Sequence, residues 1–470
     1  MTAPRRSVAG SMLLLLLLVL GCLQEAHALP AFARKYGLRC SACHESWPML
    51  NYFGQKFKDN GYQLMNDRDA PIWQNPSYWP VTFRITPIWH RVSTGRVAVD
   101  QGTGQNNAEA RIESSGFDLS GLDFHTGGTL EKNFSFYVLP SSDNTGSFHF
   151  ETAMARLDNL FSSPWLNVKL GKFELDNLLS EKRILTLTGN GGIYQTYHFI
   201  PVGDNNIYGQ IGDNQLGVEY MGHSMDDRTR VSAALISSSD GNVGLITGAN
   251  SYTGFFTASQ AFDTGKLGVQ RIGFYEMVGQ AATMYRTSAG VPIPGSGIGN
   301  KGFNRIGFVG QFYFGPHFDL QVVTQHGTDN AWFGQGYGNA VNPSNGVPGT
   351  QLPNNTPGTV LPATARAPSW NGATFEAHYV YSPQLIFIGR FELERMSQQA
   401  NINTLAAPVA GNLGNITTYT IGYRYNPFMT SRAGFAWHNE YNWLHQDGTG
   451  PQPGQNLNTS ELLIGFDFDF

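Results

Sequence analysis

Two thiols and an imidazole stand together in Cys40-Ser41-Ala42-Cys43-His44. A disulfide between such cysteines is possible in an oxidising compartment. With two residues between them it would make a tight redox-active loop rather than a structural staple. A structural zinc wants four ligands, commonly two such pairs, and the chain has only three cysteines, the third being the distant Cys22. A thioredoxin-type centre would be framed by a βαβ pattern, which the flanking residues do not form. The histidine directly after the second cysteine points to a different chemistry, covalent attachment of one haem c. Cys40 and Cys43 would form thioethers to the haem vinyl groups, and His44 would ligate the iron from the proximal side.

The distal side has several candidates. Met49 follows His44 so closely that a helical stretch would keep it near the proximal side, where it would pack at the haem edge. Met65 comes after Gly61-Tyr62-Gln63-Leu64, and a loop there can carry it across the distal face. A thioether ligand would raise the potential. His90 is the alternative. It lies on a segment in which Phe83, Ile85 and Trp89 alternate with Arg84, Thr86, Ile88 and His90. As a strand, that segment presents the second set to one face. Another ligand, or none from the protein, stays open.

The elements that must position these residues begin with an export signal. Arg5 and Arg6 precede the apolar run from Met12 to Leu20, and Ala26-His27-Ala28 follows it. This order is that of a Sec signal peptide over residues 1–28. The competing lipoprotein signal around Gly21-Cys22 has Leu20 where a small residue is preferred. Export takes the chain to the compartment where c-type haem is attached.

Composition narrows the class. Of 470 residues, 55 are glycine, aromatics make 13% and charged residues 14%. Charged residues usually make about 25%, and disordered chains are richer in charge and poorer in aromatics. Lys+Arg total 30 against Asp+Glu 35, with no basic block, so no nucleic-acid partner is expected. The apolar run is far shorter than the roughly 20 residues of a spanning helix. Glycine, aromatics and polar residues in alternation fit a β-barrel with an apolar outside and a wet inside.

From Val81 onward, period-two segments recur between turn signals. Phe387, Phe391 and Leu393 alternate with Ile388, Arg390, Glu392 and Glu394. Tyr419, Ile421, Tyr423 and Tyr425 alternate with Thr418, Thr420, Gly422 and Arg424. Sixteen strands are expected, near 81–93, 112–126, 132–140, 147–161, 165–176, 206–222, 226–238, 250–263, 265–278, 302–315, 316–327, 370–382, 384–396, 415–427, 428–443 and 458–470. Short turns fall at Phe161-Ser162-Ser163-Pro164, Asp263-Thr264-Gly265, Gly315-Pro316, Ser382-Pro383 and Asn426-Pro427. Long connections fall at 177–205, 279–301, 328–369, 397–414 and 444–457, as in outer-membrane barrels with short periplasmic turns and long outer loops. The fold class is therefore mainly β: a transmembrane antiparallel barrel over 81–470, preceded by a small, mainly helical haem segment over 29–80. A segment that short needs help to stay folded, which covalent haem and lodging in the lumen as a plug would give.

Ala28-Leu29-Pro30-Ala31-Phe32-Ala33-Arg34-Lys35-Tyr36, the Cys–His motif, and then Pro48, Leu50-Asn51, Gly54, Phe57 and Gly61-Tyr62 together resemble the monohaem cytochrome–porin fusions of iron-oxidising bacteria. These are outer-membrane Fe(II) oxidases. The resemblance is close from Ala28 to Tyr62 and architectural beyond. It implies haem ligation by Cys40, Cys43 and His44, Fe(II) as substrate, and an electron-transfer cytochrome that oxidises iron outside the cell. A periplasmic c-type cytochrome or another electron carrier would then take the electron, and outer-membrane lipid would surround the barrel. Carboxylate and imidazole ligands suit iron. Glu392, Glu394, His438 and Glu440 are expected near the outer mouth, as weak Fe(II) contacts or as ordinary polar lining. A haem-plugged solute porin, a sensor, or electron exchange with a partner other than iron are the competing readings.

Overall fold

The structure is a computed structural model that describes residues 31–46, 49–74, 80–102, 106–142, 146–179, 196, 211–212, 214–237, 252–282, 300–329, 369–397, 415–430, 433–447 and 456–470. The signal segment and most of the expected long loops lie outside the described residues.

The amino-terminal part begins with helix α1 (Ala31–Tyr36) and a 3-10 turn at Cys40–Ala42. Strands β1 (His44–Ser46) and β2 (Met49–Leu50) form a small antiparallel ribbon, and helix α2 (Tyr52–Asp59) follows. The expectation of a mainly helical segment meets two short helices separated by a turn and a ribbon. Gly37 (φ 65) and Gly61 (φ 73) end the helices in left-handed conformations open to glycine. At Gly61 a side chain is also excluded by space, because a Cβ would meet the Asp158 carboxylate.

Sixteen strands then close into one antiparallel barrel. They are β3 (Val81–Asp100), β4 (Asn106–Glu131), β5 (Phe134–Ser142), β6 (Phe148–Leu157), β7 (Asn167–Phe173), β8 (Gln215–His223), β9 (Thr229–Ser237) and β10 (Tyr252–Asp263). The circuit continues through β11 (Val269–Ala282), β12 (Asn300–Tyr313), β13 (Phe318–Asp329), β14 (Ser369–Ser382), β15 (Leu385–Met396), β16 (Ile416–Met429), β17 (Gly434–Gln446) and β18 (Leu457–Asp469). Each expected strand has its counterpart. Closure joins β18 to β3, with Leu463 opposite His90 and Ile464 opposite Trp89. Phe470 and Phe83 exchange two backbone hydrogen bonds of 3.0 Å and stack their rings 5.3 Å apart. The terminal aromatic thus seals the seam.

Alternation divides the wall. Phe387, Tyr419, Ile421, Tyr425 and Trp437 are exposed on the outside, while Arg390, Glu392, Thr418, Thr420, Arg424, His438 and Glu440 are buried within. An apolar belt outside a closed barrel is what a bilayer demands, because no strand edge is left unpaired in lipid. The protein is a barrel of the Gram-negative outer membrane. Among the described residues no helix is long and apolar enough to cross a membrane.

Two strand limits differ from expectation. Asn426-Pro427 is not a turn: β16 runs on to Met429, and the register slips between Tyr425 and Phe428. Proline cannot donate to a ladder, and a bulge accommodates it. β3 and β4 outrun the barrel: β18 pairs no further than Thr94, yet Val97–Ala110 and Asp100–Asn106 pairs continue. Past Thr94 the β3–β4 ribbon is no longer part of the closed wall, so nothing there requires the regular alternation by which the wall strands are read.

The amino-terminal segment sits inside the barrel at the short-turn end. Its rings pack as a cluster, with Phe32 stacked on Tyr62 at 4.7 Å and Phe57 edge-on to Tyr36 at 5.3 Å. They join Met154, Phe173 and Leu175 of the wall side in one core. The Ala31 amide donates to Thr82 Oγ1 at 3.1 Å, and Lys35 Nζ donates to Thr129 Oγ1 at 3.0 Å. Arg156 donates to the carbonyls of Lys58 and Asp59 at 2.7 and 2.8 Å, satisfying the open C-terminal end of α2. Arg230 pairs with the buried Asp59 carboxylate. Lys58 meets Glu174 at 3.0 Å.

A barrel of this kind should migrate faster unheated than boiled in detergent gels and should resist carbonate extraction; release by carbonate would contradict it. Asp59→Asn leaves Arg230 with only Asp176 and Asp227 at 3.8 and 3.5 Å. Breaking one partner of a buried pair costs up to about 3–5 kcal/mol. Limited proteolysis should therefore cut the amino-terminal segment faster in that variant, with the barrel's heat-modifiable mobility unchanged.

Candidate functional site

The Cys–His motif is held by short-range bonds. The Cys43 amide donates to the Cys40 carbonyl at 3.0 Å, closing the 3-10 turn. Asn51 binds the turn from the other side. Its amide donates to the Cys43 carbonyl at 2.9 Å, its Nδ2 donates to the Ala42 carbonyl at 3.0 Å, and its Oδ1 accepts from the Gly54 amide at 2.9 Å. One residue therefore caps α2 and fixes the loop that carries both cysteines. Gly54 lies directly under Cys43, where a Cβ would fall 2.1 Å from the Cys43 carbonyl oxygen.

The turn is also tied to the barrel. The Cys40 amide and its thiol both donate to the Thr430 carbonyl, at 3.3 and 3.0 Å, in the turn between β16 and β17. Both cysteines are partly buried and neither is in a disulfide. Burial pushes the Cys40 thiol up to about 12, helped by the Asp469 carboxylate, and burial pushes Cys43 up to about 11. Both stay uncharged at neutral pH. This donor set fits haem c, whose thioether links are neutral and need two unbridged thiols beside an imidazole. His44 follows on β1, paired in register with Leu50. The neighbouring Glu45 carboxyl is raised to about 7 by burial and by Asp319, with His378 opposing.

The other expected residues are placed as follows. Met49 is buried against Ile386 and Ile388 of β15. Met65 adopts φ 62 and is 59% exposed, its sulfur 3.9 Å from Asn159 Nδ2 at the turn before β7. His90 faces the lumen opposite Leu463, with Nδ1 3.9 Å from Glu461 Oε1.

The four residues expected together at an outer mouth do not form one open group. Glu392, Glu394, His438 and Glu440 are all buried in the lumen. Glu392 is opposite Thr418 and hence level with Leu444, whereas Glu440 and His438 lie four and six residues lower on β17. At ~3.3 Å per residue, that sets their backbones roughly 13 and 20 Å apart along the strand, although the Glu392 and Glu440 carboxylates both reach Arg390. No three His, Cys, Asp or Glu side chains gather as a metal site among the described residues. Ion pairing explains the arrangement. Arg390 faces Glu376 at 3.0 Å, Glu392 at 3.6 Å and Glu440 at 3.5 Å. A buried guanidinium in a low-dielectric lumen draws carboxylates to itself.

Sequence reading missed Arg390, His378 and Asp467 as organisers. His378 bridges Asp319 and Glu376, at 2.9 and 2.7 Å. Asp467 accepts from Thr86 Oγ1 at 2.8 Å and faces His438 Nδ1 at 3.5 Å. The period-two pattern put Arg390 inside; which strands would face each other was not visible.

No family model matches the chain, and no curated protein matches it. Among solved structures it is similar to the outer membrane channel DcaP of Acinetobacter baumannii, at 11% identity over 82% of this chain and 96% of that one, with a TM-score of 0.44. It is likewise similar to a loop-deleted OmpT of Vibrio cholerae (10% identity, 83% and 100% covered, TM-score 0.46) and to Pseudomonas putida OprB (10%, 83% and 94%, 0.46).

Gly54→Ala should disturb the motif while sparing the barrel. Overpacking of this kind costs about 1–3 kcal/mol. If the turn carries covalent haem, its amount per barrel, read by pyridine haemochrome against protein, should fall well below that of the unsubstituted chain; an equal amount would show that the contact relaxes freely.

Proposed function

We propose that this outer-membrane barrel is a cytochrome–porin that takes electrons from Fe(II) outside the cell and passes them to a periplasmic carrier. The observation that carries the reading is the Cys40–Cys43–His44 turn, lodged in the barrel at its short-turn end. A haem c bound there supplies a one-electron acceptor, so each Fe(II) leaves as Fe(III).

The chain's residues do the rest. Cys40 and Cys43 hold the group covalently, and His44 orients it. Asn51 and the Thr430 carbonyl hold the turn against the lumen wall. Tyr36, Phe57 and Tyr62 pack the segment onto the wall beside Met154, Phe173 and Leu175. The apolar band of such a barrel is about 25 Å tall. A single centre serving both faces must therefore lie within the barrel rather than below it. Glu392 and Glu440 lie on the lumen wall farther from that end, and their pairing with Arg390 opposes retention of a cation. An aqueous solute channel is the poorer account, because the amino-terminal segment occupies the lumen at that end.

Two measurements test the reading. Haem staining after denaturing electrophoresis should be positive for the wild type, and Cys43→Ala should lose attachment at one vinyl group. In a donor panel on detergent-solubilised protein, Fe(II) should reduce the haem rapidly. If another donor reduced it and Fe(II) did not, the iron assignment would fall; if no haem were attached, the whole reading would.

A further inference from the structure

The distal side of the haem is where the lumen offers something the sequence did not single out. His438 on β17 is fully buried, and neither ring nitrogen makes a hydrogen bond. Its Nδ1 nevertheless faces a carboxylate, Asp467 Oδ2, at 3.5 Å. Asp467 is itself held by Thr86 Oγ1 at 2.8 Å, with Arg424 at 3.7 Å. Metal-ligating histidines commonly turn one ring N–H toward a carboxylate, which fixes the tautomer and leaves the other nitrogen's lone pair for the metal. Here Nε2 is the nitrogen left over. It lies over the bare backbone of Gly465, where a Cβ would come within 2.6 Å of it.

Register places this imidazole near the Cys–His motif. β1 and β2 pair His44 with Leu50 and Ser46 with Met49. Met49 packs on Ile386 and Ile388. Those residues are opposite Arg424 and Gly422, which are opposite His438 and Glu440. The ribbon bearing His44 therefore touches the wall two strands from His438, about 10 Å at the usual strand spacing. Imidazole nitrogens bind metals at about 2 Å; of the two lumenal imidazoles at this level, His378, opposite Ile388, has both nitrogens on carboxylates, whereas His438 makes no hydrogen bond through either. The same hairpin, β16–β17, carries the Thr430 carbonyl that anchors Cys40. The rivals are placed less well. His90 is four strands from the Met49 contact, roughly 19 Å, and faces Glu461. Met65 is exposed beside Asn159 at the turn before β7.

We propose that His438 is the distal axial ligand of the haem, with Asp467 as the group that orients it. This rests on the haem reading above. Ligation needs no proton transfer: neutral His438 keeps Nδ1–H toward Asp467 and gives the Nε2 lone pair to iron. Two imidazoles hold the potential lower than an imidazole and a thioether would.

The test uses the full-length holoprotein in detergent, by electron paramagnetic resonance, visible spectroscopy and potentiometric titration. The ferric wild type should be low-spin with a bis-imidazole signature and no thioether-to-iron charge-transfer band. His438→Gln should turn most of the haem high-spin, whereas Met65→Leu and His90→Gln should leave spectrum and potential unchanged. An unchanged His438→Gln spectrum would overturn the proposal, as would a thioether band in the wild type that Met65→Leu abolishes. If His438→Gln failed to fold, His90→Gln would still decide: a bis-imidazole signature that it abolishes overturns the proposal, and one that survives it excludes the rival imidazole. Absence of haem from the wild type would instead defeat the underlying reading, so the two failures are distinguishable.

Discussion

The contact between Asp59 at the end of α2 and Arg230 on the wall of β9 is the fastening on which the rest depends. A carboxylate buried this deeply is tolerable only with a partner, and Arg230 is equally committed. Arg156 completes the joint by bonding the last carbonyls of α2. With α2 fixed, Asn51 at its start is fixed, and Asn51 holds the Cys43 carbonyl and the Ala42 carbonyl. The position of the two cysteines in the lumen is therefore set by an ion pair spanning 171 residues of sequence.

The wall follows a second rule, that charge placed in a closed lumen is paired across strands. Arg390 gathers Glu376, Glu392 and Glu440, and His378 joins Glu376 to Asp319. Pairing of this kind is weak evidence for stability, since desolvation offsets much of the attraction. What it provides is position. Glu376 and Glu440 meet Arg390 from other strands and Glu392 meets it from the same strand, which leaves His438 and Asp467 as a separate group lower in the barrel.

Much of this was legible in the residues, for definite reasons. The Cys–His motif is local, so that Cys40, Cys43 and His44 stand in one turn was legible from five neighbouring residues. The lipid face repeats every second residue, so Phe387, Tyr419 and Trp437 reveal the outside and Arg390 and His438 the inside. Pro427 misled because proline marks turns more often than bulges, and only the register shows the bulge. The glutamates were placed on the inner face; that Glu392 and Glu440 share Arg390 was not legible, since facing across a barrel depends on strand stagger. The fastening of Asp59 by Arg230 had no sequence signal at all: each is one charged residue among many.

The central claim is that one haem inside the barrel carries electrons across while iron stays outside. The most direct measurement uses protein in sealed vesicles, outer face accessible, Fe(II) supplied only outside and a membrane-impermeant electron acceptor enclosed within. The account predicts fast haem reduction, reduction of the enclosed acceptor, and interior iron at background. Acceptor reduction that appeared only as iron entered the vesicles would contradict it.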